Sequence, residues 1–310
     1  MSHWRTDPGA GQPASAAPRQ PVTVPQLQEW CDAGRRIAVL TAYDYPSARV
    51  LDAAGIDVLL VGDSVGMVVL GYDSTLPVTT EEMMHHTRAV RRGTQRALVI
   101  ADMPFGSFQL GEMRAAETAV RFVKECGAHA VKIEGGTKAA PCIAAIAAAE
   151  VPVMAHVGLT PQSINLTGRY RVQGRTDDSV ARVLEDAHAA EAAGAFAIVL
   201  ECIPWRLAAR ITEELRIPTI GIGAGPHCDG QVLVMHDLVG YGVGELSPRF
   251  VKRYDSFSER LGEAAARFRA DLDASSFPAR EHCYELPAGE LAAKYHLDHY
   301  VFPHSEEKQP

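Results

Sequence analysis

Eight short apolar runs limit what this chain can fold into more than anything else in it. They lie at 37–44 (IAVLTAYD), 58–64 (VLLVGDS), 97–104 (ALVIADMP), 130–136 (AVKIEGG), 151–159 (VPVMAHVGL), 197–203 (AIVLECI), 218–225 (PTIGIGAG) and 231–236 (QVLVMH). Most are continuously apolar rather than alternating, as strands buried on both faces are in parallel sheets. Helical periodicity fills the intervals. In 112–127, for example, Ala115, Ala119, Phe122, Val123 and Cys126 share one face. Strand and helix alternating in this way predict right-handed parallel crossovers, and eight such strands predict a closed (β/α)8 TIM barrel. One interval disagrees: 225–231 is too short for a helix, so either the seventh unit is truncated or the last strand lies elsewhere.

Around this frame the sequence divides into an arm at 1–22, rich in Ala, Pro and Gln and expected to be disordered; a barrel with flanking helices at 23–273; and a peripheral tail at 274–310. A helix at 24–36 is placed to close one end of the barrel, and another is expected at 257–272. Thr79 or Thr80 is positioned to cap the helix that runs to Gly93. The interval 160–176 is long for a loop in a compact domain, which suggests a lid or an unstructured segment.

A length of 310 residues suits a barrel with extensions. With a formal net charge of −8 and no Lys/Arg cluster interleaved with aromatics, a nucleic-acid or anionic-membrane partner is not expected. No stretch reaches the roughly 18 uninterrupted apolar residues of a membrane helix. Residues 1–25 lack a signal-peptide core. Six scattered cysteines without a C-x-x-C pair, several in apolar surroundings, read as buried reduced thiols of a cytoplasmic protein.

The strand ends carry the chemistry: Asp63 and Ser64, Asp102, Lys132 and Glu134, His156, and Glu201. In a barrel such positions converge on one rim. Asp63 alone could be a turn residue, but three further strands end in the same manner. Carboxylates brought together without a cation repel one another, and a divalent ion resolves that conflict. Oxygen donors without a Cys/His cluster point to Mg²⁺ or Mn²⁺, which usually take one or two carboxylates plus substrate and water. Lys132 and Glu134, two apart on a strand, share a face. They form either a buried ion pair or part of a site where Lys132 holds a substrate oxyanion. His156 is either a hydrogen-bonded core residue or a substrate contact, and Glu201 could simply pair with Arg206. The glycines of IGIGAG are expected to serve close backbone packing rather than phosphate binding.

The segments LTAYDYPSA, VGDSVGMVVLGYDSTLPVT, VRRG, ADMPFGS, VKIEGG, HVGLTPQS, YRVQGR, LECIP and IGIGAG, in this order and spacing, closely resemble the ketopantoate hydroxymethyltransferase family over about residues 22–284. The resemblance implies a barrel of the phosphoenolpyruvate/pyruvate superfamily, generally a homodecamer. It implies Mg²⁺ at Asp63, Asp102 and Glu134. It places the keto acid 3-methyl-2-oxobutanoate against Asp63, Ser64, Asp102 and Lys132, makes Glu201 the proton acceptor, and gives 5,10-methylenetetrahydrofolate as cosubstrate. Two rivals stand beside it: a phosphoenolpyruvate mutase or 2-methylisocitrate lyase type of enzyme, and an inactive barrel kept as a binding module. The GYDSTLPVT and HVGLTPQS segments favour the transferase. A lyase should also carry a cysteine acid in its lid, and 160–176 has none.

Overall fold

The structure is a computed structural model that describes residues 20–242, 248–286, 290–297, 299–300 and 302. Most of the expected N-terminal arm, residues 1–19, therefore lies outside the described residues. Val22 is not part of an arm: it is buried, and its N–H donates to Arg96 O at 2.7 Å.

The strands form a closed parallel barrel in sequence order. They are β1 (Ile37–Thr41), β2 (Val58–Val61), β3 (Leu98–Asp102), β4 (Ala130–Glu134), β5 (Val153–Gly158), β6 (Ala197–Glu201), β7 (Thr219–Ile222) and β8 (Gly230–Leu233). Closure comes from β8 pairing with β1, Gly230 opposite Ile37. The runs are apolar throughout because each strand feeds two cores. Leu59, Val61, Val99, Val131, Ile133, Ile198 and Leu200 pack in the core that includes helix residues such as Val90, Phe122 and Ile143. Their neighbours Val58, Leu60, Leu98, Ile100, Ala130, Met154, Ala197 and Val199 form the other, inside the barrel. Continuing the inward parity by two places Asp102, Lys132, Glu134, His156 and Glu201 on the interior face at the C-terminal rim.

The opposite rim is structural. Asp57, buried just before β2, accepts from Arg35 at 2.7 Å, Arg96 at 2.8 Å and the Ala38 N–H at 3.1 Å. Thr79 is the N-cap of the helix Thr80–Gly93, its hydroxyl accepting from Glu82 N–H while the Glu82 carboxylate accepts from Thr79 N–H at 2.7 Å. Asp44, expected at the end of the first strand, instead caps the helix Tyr45–Ala53 by accepting from Ser47 N–H at 2.8 Å.

The seventh unit is indeed truncated: no helix separates β7 from β8. The last strand begins at Gly230 and stops at Leu233, short of the expected 236, because Met235 N–H turns aside to Thr41 Oγ1 at 2.9 Å. His236 accordingly sits on the short helix Met235–Val239. The expected packing role of the IGIGAG glycines is seen at Gly225, where a Cβ would come within 2.3 Å of the Trp205 Cβ.

The chain divides into two compact units, residues 1–238 with 242–253, and 239–241 with 254–310. The second contains the helix Phe257–Asp273, which has no buried residue. All six cysteines are unpaired; Cys126, Cys142 and Cys228 are buried and Cys283 is exposed. Among the described residues no helix is long and apolar enough to cross a membrane.

Candidate active site

Asp102 and Lys132 stand opposite each other in the β3–β4 register, and Lys132 Nζ donates to Asp102 Oδ1 at 2.8 Å. The other Asp102 oxygen accepts the Asp63 N–H at 3.3 Å. Lys132 thus pairs across strands and not with Glu134. Glu134 Oε2 accepts the Gln162 N–H at 2.9 Å, and its Oε1 lies 3.6 Å from His156 Nδ1. His156 Nδ1 is also 3.4 Å from Lys132 Nζ. On its other side, His156 Nε2 is 3.0 Å from Glu201 Oε2, without the alignment of a hydrogen bond, so that contact is electrostatic. Glu201 meets His156 rather than Arg206. Ser64 Oγ shares a 2.9 Å hydrogen bond with the buried Tyr43 hydroxyl.

The side chains of the site are unequally buried. The side chains of Asp102, Lys132, Glu134 and His156 are 2–5% exposed, whereas that of Glu201 is 16% exposed. Burial, then the like charges of Asp102 and Glu134, push the Asp63 carboxyl well above its usual range, against the pull of Lys132 and of the Gln162 hydrogen bond. Burial works to neutralise Lys132, but Asp102, Glu134 and Asp63 outweigh it and hold the ammonium form. His156 is opposed by burial and by Lys132, yet Glu134 and Glu201 lift it to about 9. Four acidic side chains therefore share the rim with two basic ones.

This surplus of acidic side chains, with the oxygen donors of Asp63, Asp102 and Glu134, fits a hard divalent cation. Among the described residues no three His, Cys, Asp or Glu side chains close into a ready cage. The fit is to an ion taken by one or two carboxylates and completed by substrate and water.

Gln162 was not singled out in the sequence. It lies in a 3₁₀ turn, Pro161–Ser163, within the interval read as a loop, and it is buried. Its side-chain amide donates to Asp63 Oδ2 at 2.9 Å and to Met103 O at 3.0 Å, while its carbonyl accepts from Gln109 Nε2 at 2.9 Å. The available signal was a Gln just beyond Gly158, whose own role is steric. At Gly158, φ is 93° and a Cβ would stand 2.3 Å from Glu201 O. Cys202, directly after Glu201, takes a left-handed φ of 48°.

The family described as ketopantoate hydroxymethyltransferase matches residues 21–280. A 3-methyl-2-oxobutanoate hydroxymethyltransferase of Trichlorobacter lovleyi is 53% identical over 86% of this chain and 99% of its own. One of Carboxydothermus hydrogenoformans is 53% identical over 86% of this chain and 96% of its own. Among solved structures, a phosphoenolpyruvate phosphomutase from Streptomyces platensis subsp. rosaceus superimposes with a TM-score of 0.53 at 16% identity, covering 89% of this chain and 94% of that one. That likeness is one of fold.

Proposed function

This chain belongs to the ketopantoate hydroxymethyltransferase family, and from that premise we propose how its residues divide the work of making ketopantoate from 3-methyl-2-oxobutanoate. The observation that carries the reading is the buried rim itself: Asp63, Asp102, Lys132, Glu134, His156 and Glu201 joined by direct contacts at one end of the barrel.

Lys132 uses one N–H on Asp102 and has donors left for a substrate oxyanion. Asp63, Ser64 and Asp102 complete the walls around the small keto acid. Asp63, Asp102 and Glu134 would hold Mg²⁺, which when bound would supply Lewis-acid polarisation of the 2-oxo group. Gln162 fixes the Asp63 and Glu134 carboxylates from behind. Glu201, the most open carboxylate of the set, takes the C3 proton, with His156 lying against it. The carbon left as nucleophile bonds to the one-carbon unit of 5,10-methylenetetrahydrofolate as both of that unit's C–N bonds break; water provides the hydroxyl, and tetrahydrofolate leaves with the C3 proton and the second proton of the water on its nitrogens. The folate brings the one-carbon chemistry, and the chain brings orientation and charge. The protein is further taken to be cytoplasmic, in keeping with its unpaired cysteines, and a homo-oligomer, decameric by the family resemblance.

The test is product formation from the two substrates. Ketopantoate is expected, its formation abolished by a chelator and restored by Mg²⁺; a mutase or lyase would consume neither substrate. Glu201→Gln separates the base from the binding site: keto-acid binding should persist while C3 hydrogen–deuterium exchange, followed by NMR without folate, stops. Exchange at the wild-type rate in that variant would move the base to His156.

A further inference from the structure

The interval between Gly158 and the helix Asp177–Ala192 is tied down twice, once on each side of the site. At its start Gln162 is bonded to Glu134 and Asp63. Near its end the Gln173 N–H donates to Cys202 O at 2.9 Å, next to Glu201. Residues 163–172 therefore lead from the buried carboxylates to the strand end that carries Glu201, where Gln173 is held on the next residue, Cys202.

Those residues have an unusual composition for a chain of net charge −8: Arg169, Arg171 and Arg175 fall within seven positions. All three are exposed, and none has an ion-pair partner among the described residues. Interleaved with them are exposed apolar groups, Leu166 at 81%, Tyr170 at 44% and Val172 at 37%. The Tyr170 phenol is within electrostatic reach of the site. Partial burial raises its pKa first, and then Asp63, Glu134 and Glu201 raise it further.

We propose that Arg169, Tyr170 and Arg171 form the subsite for the cosubstrate, an aromatic pterin with a carboxylate-bearing glutamate tail. This rests on the transferase reading above. The keto acid is small enough to lie among side chains that are 2–5% exposed, but a folate is not. It has to approach from the Glu201 side, present flat rings to the protein, and carry several negative charges past a site already rich in carboxylates. Tyr170 and its apolar neighbours offer the ring surface. The arginine forks offer bidentate carboxylate partners and cancel the local repulsion.

The experiment uses the full chain with Mg²⁺ and the variants Arg169→Ala/Arg171→Ala and Tyr170→Ala. Tetrahydrofolate binding is measured by calorimetry, and steady-state kinetics are run for both substrates. The double variant is expected to weaken tetrahydrofolate binding and raise KM for methylenetetrahydrofolate by about tenfold. Its KM for the keto acid and its folate-free C3 exchange should stay within about twofold of wild type, which also certifies the fold. Wild type should prefer a triglutamate cosubstrate over a monoglutamate one, and the double variant should lose that preference. Unchanged tetrahydrofolate affinity in both variants overturns the proposal. So does a rise in the keto-acid KM alone, which would assign the arginines to the smaller acid. A wild-type protein that binds tetrahydrofolate through these residues but forms no ketopantoate would sink the transferase reading and leave the subsite standing.

Discussion

Lys132→Met is the substitution that most directly probes the charge balance of the rim. The ammonium sits 2.8 Å from Asp102 Oδ1, with both side chains at most 5% exposed. Methionine keeps most of the stem's volume but leaves Asp102 with only the Asp63 N–H, in a pocket that also holds Asp63 and Glu134. Breaking a buried pair by removing one partner costs about 3–5 kcal/mol, because the other charge stays buried and uncompensated. That is a large part of a typical total of about 5–15 kcal/mol. Removing the second charge as well should return much of the loss, so Lys132→Met/Asp102→Asn is expected to be more stable than Lys132→Met alone. Urea denaturation in chelator gives both numbers, and repeating it with Mg²⁺ should narrow the gap, since a bound cation replaces the missing charge. The argument fails if Lys132→Met costs under about 1 kcal/mol, the scale of an exposed pair, or if the double variant is no better than the single one.

The metal-free protein should lose stability as pH rises from the unfolded Asp63 value of 3.8 through its raised folded value. A raised carboxyl pKa means the native state holds the proton more tightly, so its contribution is complete below 3.8 and disappears above the folded value. Urea midpoints in chelator across pH 4–8 would show this slope, and Asp63→Asn should flatten it. Gln162→Met removes two donors from buried acceptors. It should lower stability by about 2 kcal/mol and slow C3 exchange by about thirtyfold, on the scale of a hydrogen bond to a charged group; wild-type exchange would refute a positioning role. Gly158→Ala should destabilise by more than about 1 kcal/mol in thermal melts, since it both strains a positive φ and drives a Cβ into Glu201 O.

Much of the fold could be read from the sequence because the strand runs obey one rule. Residues such as Leu98 and Ile100 on β3, or Ala197 and Val199 on β6, lie inside the barrel, and counting on by two reaches Asp102 and Glu201. Period-two parity is local, so it survives without any knowledge of the tertiary contacts. The same locality explains the misreadings. Asp44 and Asp63 look alike in the sequence, an acidic residue after an apolar run, yet one caps the next helix and the other enters the carboxylate cluster. Only a backbone donor three residues on separates them. At β8 the run QVLVMH stays apolar past the strand's end, and a single long-range bond, Met235 N–H to Thr41 Oγ1, decides where pairing stops.

Gln162 was invisible for a stronger reason. Its amide reaches Asp63, 99 positions away in sequence, and Met103, 59 away, so no window of sequence contains both the donor and its acceptors. Nor does it bear a charge or sit at a strand end, the two marks by which the other site residues were found. The carboxylates made themselves legible because they are costly to bury together, and the groups that make that burial tolerable are neutral, distant and ordinary in composition. A barrel rim of this kind shows its charges in the sequence and conceals what holds them in place. The gap is narrowest where a backbone constraint marks the segment, as Gly158 and Pro161 do here, leading into the turn that delivers Gln162 to the cluster.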